Sequence, residues 1–506
     1  MSQEIIGTIN ADQVQIPALK YFELPEKVLQ FGTGVLLRGL PDFYIDKANK
    51  QQIFNGRVVV VKSMDGGGVD AFDNQDGLYT HCMRGLENGK KIEENIINAS
   101  ISRVMSATNQ WGLVLECATY PGMQVVISNT TEVGITLVKD NIQSNPPVSF
   151  PGKLLSFLYK RYKHFNGDKS KGMIIIPTEL IPDNGNELKK IILELSGQNN
   201  LDPAFIDWLL NANSFCNSLV DRIVPGRLSA GKLKQMEEKV GYKDELMIMS
   251  EVYGLWAIEA SSEHIKEVLA FHLADEGVVI APDINIFREL KLRLLNGSHT
   301  FTCGLAHLAG FKTVKQAMDN NSFTTFISAM MMYEIAPSIT HENLSIEQAV
   351  DFASKVLDRY RNPFIEHQWL SITLQYTSKM AMRNVTILKN YFERHGLVPE
   401  YMALGLAGYL LFMKCEKAAD EKYYGKVNGD TYPVNNDYAF YFSEKWNKCS
   451  VDQLVGSVFC DKELWKVDLA KFPGLVESVT EKLNMLMKEG AEEIMNKLIA
   501  EKTGIQ

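Results

Sequence analysis

The chain has 506 residues, 45% of them hydrophobic and 22% charged, with a formal net charge of −9. That composition excludes domain-scale disorder and predicts two or three globular domains. A mildly acidic surface repels nucleic acid and anionic lipid, and no dense Lys/Arg run argues otherwise, so neither kind of partner is expected.

Seven widely spaced cysteines without a Cys-x-x-Cys predict reduced, mostly buried thiols rather than a disulfide framework or a zinc knuckle. The opening MSQEIIGTINADQVQ lacks the basic-then-apolar pattern of a secretory leader. The longest apolar run, Tyr401–Met413, is too short to cross a bilayer and reads as a buried helix. The cytoplasm is the expected location.

From about Lys27 to Ile223, short β-branched runs alternate with helical stretches. VLQFG (28–32), RVVVVKS (57–63), MQVVISN (123–129) and MIIIP (173–177) have the continuous apolar character of parallel strands covered on both faces. LLSFLYKRYKHF (154–165), before the last of these, has helical spacing. The order predicts a doubly wound α/β domain of Rossmann type over residues 1–225. Past Pro225-Gly226 the β runs nearly vanish. HIKEVLAFHLA, INIFRELKLRLLN, IEQAVDFASKVLDRY and the segment from Pro473 onward are amphipathic, so residues 226–506 read as a mostly α-helical domain. DGGG (65–68) and NGDTYPVNND (428–437) read as loops.

The first strand runs into Gly32-Thr33-Gly34, then Arg38-Gly39 and a helical segment. Strand, glycine turn and helix start form the geometry in which backbone N–H groups approach a pyrophosphate. Because the third glycine comes two places late, a plain strand-to-helix turn is the competing reading. Arg38 is a candidate for a phosphate or a carboxylate, or a cover for the helix. An acid at the end of the second strand usually accepts ribose hydroxyls. Here Lys62-Ser63 stands there, with Asp65 beyond, which leaves NAD and NADP both open. Ser128-Asn129-Thr130-Thr131-Glu132 closes a later strand, as a nicotinamide-side contact, as a helix cap with its capping-box partner, or as both.

INIFRELKLRLLNGSHT (285–300) carries the most chemistry. On an α-helix with Lys291 at zero, Arg288 falls at about 60°, His299 at about 80° and Asn296 at about 140°. One face thus holds a base, a neutral donor and an imidazole, the set a metal-free alcohol–ketone interconversion needs. A lysine ordinarily titrates at about 10.4, and burial among cations is how such bases are brought into the working range. A solvated charged face is the alternative. His81, His164, His264, His272, His307, His341, His367 and His395 show no metal-ligand spacing and read as structural, with no metal site expected.

With these motifs in view, the chain resembles the polyol-specific long-chain dehydrogenase/reductase family, over nearly its whole length. The anchors are Lys291-x4-Asn296-x2-His299, Phe215–Pro225 (FCNSLVDRIVP), Asn74–Thr80 (NQDGLYT) and Ser378-Lys379. Asn213 replaces an apolar residue at the start of the second anchor, and Val35-Leu36 replaces the family's Asn-Phe in the phosphate loop, with Gly32, Gly34 and Arg38 retained. The resemblance implies Lys291 as general acid/base and Asn296 with Asn184 as the alkoxide hole. It further implies His299 as orienting residue, Asp221 and Lys379 as supports, and work without zinc.

FGTGVLLRG, FRELKLRLLNGSHT, RNPFIEHQWLSI and SKMAMR are similar to the family's uronate-reducing branch. That implies NAD-dependent interconversion of D-altronate and D-tagaturonate by a monomer or weak homo-oligomer. Fructuronate reduction and mannitol-type polyol oxidation are the alternatives within the family. An oxidative decarboxylase and a non-catalytic nucleotide sensor are the alternatives outside it. Arg288 stands where mannitol-type members carry an acid, and Ser371 where they carry an arginine. Arg288 and Arg383 are therefore candidates for gripping a substrate carboxylate, since a guanidinium fork matches one.

Overall fold

The computed structural model describes residues 1–62, 70–130 and 134–503. They form two compact units: Met1–Gly85 with Lys91–Ile284, and Leu86–Lys90 with Asn285–Gln506.

In chain order the strands around the first unit are β1 (Glu26–Phe31), β2 (Arg57–Lys62), β3 (Tyr79–Glu87), β4 (Lys90–Asn98), β5 (Ile101–Ser106), β6 (Val125–Ser128), β7 (Ile174–Pro177), β8 (Ser214–Phe215), β9 (Ser218–Asp221), β10 (Ile248–Ser250), β11 (Leu255–Glu259) and β12 (Val278–Ala281). The main sheet has the order β5-β2-β1-β6-β7-β8, with every adjacent pair parallel. Strand order runs outward in opposite senses from β1 and β6, so the crevice beyond their carboxyl ends is the topological switch point. The apolar runs explain why this sheet forms. Val28, Val58, Val60, Val125, Ile127 and Ile174 enter one core, whereas Leu29, Phe31, Val59, Val61, Val126 and Ile175 enter the other. Alternate side chains of one strand are thus buried on opposite faces. The doubly wound reading holds.

The boundary read near residue 226 moves. Residues 226–284 belong with the first unit because they supply β10, parallel to β3, and β11, which pairs antiparallel with β9 and parallel with β12. These strands are only three to five residues long, too short to stand out from helical text.

The second unit is helical. Its expected helix at IEQAVDFASKVLDRY spans Ile346–Tyr360, started by a capping box from Ser345 and Gln348. Helix Glu400–Phe412 lies inside the unit with most of its residues buried. Its first amides, those of Tyr401 and Met402, donate to the two oxygens of buried Glu334 at 2.9 and 2.8 Å. The segment read as a loop at 428–437 is instead half of a hairpin, with β13 (Cys415–Lys417), β14 (Tyr423–Val427) and β15 (Asp430–Pro433) in one antiparallel sheet. Asn428 and Gly429, at φ 51° and 90°, make the tight turn between β14 and β15 that an Asn-Gly pair favours.

Candidate active site

At the carboxyl end of β1, Gly32 adopts φ 126°, and a Cβ there would meet the Asn129 carbonyl oxygen and Leu37 Cδ1 at 2.9 Å. Only glycine is comfortable in that conformation and that space. A Cβ built on Gly34 meets nothing within 4 Å, so this turn can be approached from outside. The late third glycine is also explained. A Cβ on Gly39 would lie 2.9 Å from Val224 Cγ2, so Gly39 permits the close packing that a dinucleotide fingerprint's last glycine provides. This end of the sheet therefore fits a dinucleotide.

Arg38, the candidate phosphate ligand, is only 6% exposed. Its guanidinium is buried, donates to the Leu246 carbonyl, and stands over the rings of Phe72 and Tyr79. Lys62 is half-buried at the last position of β2, opposite Ser106. Ser63, Asp65, the DGGG loop, Thr131 and Glu132 lie outside the described residues. Asn129 and Thr130 follow β6 as expected. Asn129 donates to the carbonyl and hydroxyl of Thr178, each at 3.0 Å. Thr130 donates through its amide and hydroxyl to Glu179 Oε1, each at 2.9 Å. Ser128 Oγ holds the other oxygen of Glu179 at 3.1 Å. Burial raises the pKa of this carboxyl, against the hydrogen bonds that lower it. Glu179 is a residue the sequence did not single out, and it knots the ends of β6 and β7.

Asn184 departs from its expected role. It is 1% exposed at the start of helix Asn184–Gln198. Its Nδ2 donates to the carbonyls of Pro177, Glu179 and Ser218 at 3.0–3.1 Å, and its Oδ1 accepts from the amides of Gly185 and Ser218 at 2.9 and 2.8 Å. Every donor on the amide is committed to backbone, which leaves none for an alkoxide. Asp221 is buried at the end of β9, opposite Leu255 in the ladder. Its neighbour Arg222 is the tie in the VDRIVP stretch, donating to the carbonyls of Glu251 and Gly39 and stacking over Phe43 at 4.5 Å.

In the helical unit the lysine helix is not α-helical throughout. Residues Asn285–Leu290 are α-helix, Lys291–Gly297 are π-helix, and Ser298–Leu308 are α-helix again. A π-helix bonds residue i to i+5. Lys291 and Asn296, five apart, therefore stand one above the other instead of about 140° apart as on an α-helix. His299 follows three places later, across the return to α-helix, where residues three apart share a face. The π turn gathers Lys291, Asn296 and His299 more tightly than the α reading does.

His299 is 8% exposed and stacks on Tyr360 at 4.1 Å between ring centroids, with His367 edge-on at 5.2 Å and Trp369 at 5.7 Å. Burial first, then His367, Arg359 and Arg383, holds its pKa well below the ordinary histidine range, so the ring is neutral near pH 7. Its Nε2 has no hydrogen-bond partner. A buried neutral imidazole with an unpaired nitrogen is suited to a substrate hydroxyl. His367, read as structural, belongs to this cluster.

Lys379 and Arg383 lie one turn apart on helix Tyr376–His395. Lys379 donates to the Ile372 carbonyl at 2.9 Å, and Arg383 to Thr300 Oγ1 at 3.1 Å. Burial, then Arg383, lowers the Lys379 pKa. Arg288 donates to Asn285 Oδ1 at 2.7 Å. Among the described residues no group of three or more His, Cys, Asp or Glu side chains is placed to hold a metal ion, and no helix is long and apolar enough to cross a membrane.

Comparison with known proteins agrees with this division of parts. The Mannitol dehydrogenase Rossmann domain model matches residues 26–269, and the Mannitol dehydrogenase C-terminal domain model matches residues 283–487. The chain is 36% identical over 477 residues to the altronate oxidoreductase of Bacillus subtilis (strain 168), covering 93% of this chain and 95% of that one. It is 34% identical over 487 residues to the altronate oxidoreductase of Halalkalibacterium halodurans, covering 94% of each. Among solved structures, the D-sorbitol dehydrogenase in substrate-free form superposes with a TM-score of 0.76 at 18% identity, over 98% of this chain and 100% of that one. The Pseudomonas fluorescens mannitol 2-dehydrogenase complex with NAD and D-mannitol gives 0.64 at 20% identity, over 99% of each. With its two halves matched in order and its relatives covered almost end to end, the chain belongs to the mannitol dehydrogenase family.

Proposed function

We propose that this protein is an NAD-dependent oxidoreductase that interconverts D-altronate and D-tagaturonate, working in the cytoplasm without a metal and with Lys291 as the general acid/base. The observation that carries the chemistry is the π-helical register, which stacks Lys291 over Asn296 and brings His299 onto the same face. The sugar-acid assignment is supported by the relatives named altronate oxidoreductase, 34–36% identical. It is supported also by two half-buried cations, Lys379 and Arg383, one turn apart. Like charges at that spacing repel, and a substrate carboxylate relieves the repulsion while the guanidinium grips it. Arg288 is a second candidate grip.

The turn at Gly32–Gly34 would hold the pyrophosphate, Lys62 stands on the ribose side, and Asn129 and Thr130 border the nicotinamide end. When bound, NADH supplies the hydride that reduces the carbonyl carbon. As the C=O π electrons move onto oxygen, the Lys291 ammonium delivers a proton to it. Asn296 donates a hydrogen bond to the developing alkoxide, and neutral His299 fixes a neighbouring hydroxyl. In the oxidative direction Lys291 takes the proton back.

The test is spectrophotometric. NADH and NADPH oxidation are followed with tagaturonate, fructuronate and fructose, with and without a chelator, for the wild type and Lys291→Ala. Tagaturonate is expected to give the highest kcat/KM, chelation to change nothing, and Lys291→Ala to remove turnover while leaving NADH binding intact. A higher kcat/KM on fructose, or a Lys291→Ala enzyme that still turns over, overturns the reading.

A further inference from the structure

The π turn closes i→i+5 where the helix on either side closes i→i+4, a rare departure confined to single turns. Four successive carbonyls here each take a side-chain donor. Ser298 Oγ donates to Leu294 O at 2.5 Å, Tyr360 OH to Leu295 O at 2.9 Å, Thr300 Oγ1 to Asn296 O at 2.7 Å, and Asn384 Nδ2 to Gly297 O at 3.2 Å. Ser298 and Thr300 are local and accompany any helix at this point. Tyr360 and Asn384 reach across from other helices, Ile346–Tyr360 and Tyr376–His395, and Asn384 does so with no exposed surface at the end of the turn.

The approach is tight. A Cβ on Gly297 would stand 3.1 Å from Asn384 Oδ1 and 3.1 Å from Ile387 Cδ1, so the glycine is what lets the asparagine reach the backbone. The link is returned from the other side. Arg293, inside the π turn, donates to the carbonyls of Met382 and Arg383 at 3.0 and 2.6 Å. Arg383 in turn donates to Thr300. Three consecutive residues, 382–384, thus clamp the turn, and within them Asn384 supplies the donor at its carboxyl end.

We propose that Asn384 is a positioning residue, whose hydrogen bond to the Gly297 carbonyl holds the π turn and so keeps Asn296 in line with Lys291. It acts through Asn296 and touches neither substrate nor cofactor. Without the bond, the segment regains α-helical pairing and Asn296 rotates away from the lysine. This rests on the reading that Lys291 and Asn296 share the chemistry.

The test is a kinetic cycle of Asn384→Leu, which keeps the volume and removes the donor, with Asn296→Ala. A misplacement of about 1 Å costs roughly 100-fold in rate. Asn384→Leu is therefore expected to lower kcat by roughly 30- to 100-fold while the Kd for NADH stays within about twofold. In the Asn296→Ala background the same change is expected to cost less than about threefold, because the group it aligns is gone. Losses that multiply across the cycle, or a kcat for Asn384→Leu within about threefold of wild type, overturn the proposal. If Asn384→Leu does not fold, Asn384→Gln, which moves the donor on a longer arm, takes its place with the same expected result. Turnover by Lys291→Ala sinks the catalytic reading by a separate measurement, so the two failures are told apart.

Discussion

Replacing Asn184 by alanine separates two roles for one side chain. Its amide makes three donations and two acceptances at 2.8–3.1 Å in a site that is 1% exposed. Alanine strands the buried amides of Ser218 and Gly185, at about 1–3 kcal/mol each, and loses the ties to three carbonyls. Pro177 O keeps a donor in Ser218 Oγ, so the sum comes to about 3–5 kcal/mol. For a unit of this size that corresponds to a Tm lowered by about 5–9 °C. The folded fraction, assayed well below the new Tm, is expected to keep kcat within about threefold of wild type, whereas loss of an alkoxide donor costs roughly 100- to 1,000-fold. Differential scanning calorimetry alongside initial rates decides. An unchanged Tm with kcat down a hundredfold would refute the structural assignment and return Asn184 to the substrate.

Gly32→Ala is expected to unsettle the first unit and abolish NADH binding, since a Cβ there meets the Asn129 carbonyl oxygen at 2.9 Å in a left-handed conformation. Gly34→Ala, with open space around it, is expected to fold normally and weaken NADH binding alone, as isothermal titration would show. The depressed pKa of His299 gives a signed pH effect. The unfolded chain takes up a proton as pH falls below about 6.5 and the folded ring does not, so stability is lost on acidification, at up to about 1.4 kcal/mol per pH unit. His299→Phe is expected to flatten the urea-midpoint profile between pH 7 and 5, and an unchanged slope contradicts the assignment. Arg383→Gln is expected to raise KM for a uronate more than for fructose, and equal losses on both would remove it from carboxylate recognition.

The sheet was legible because an unbroken valine run such as Val58–Val61 must be buried on both faces, whatever else the chain does. β10, β11 and β12 were not, since three to five residues carry too little pattern and their pairing is settled by β3 and β9, far away in sequence. The Asn428-Gly429 turn was visible as a signal but was hidden inside a polar stretch. The right residues of the lysine helix were read, with the wrong period. No residue type announces an i→i+5 turn, and two of the donors that hold it come from positions 360 and 384. Arg38 and Asn184 show the opposite case. A polar residue at a motif position reads as a ligand, whereas the Arg38 guanidinium is buried against Leu246, Phe72 and Tyr79 and the Asn184 amide is spent on the carbonyls of Pro177, Glu179 and Ser218.

The carboxylate of Glu334 has a consequence for how the helical unit is held together. Helix Glu400–Phe412 enters the interior without water to solvate its leading amides, and the two that Glu334 satisfies lie 67 and 68 positions further along the chain. Removing that one carboxylate would strand both buried amides at once, so a single acidic side chain fastens two stretches of chain that are far apart in sequence.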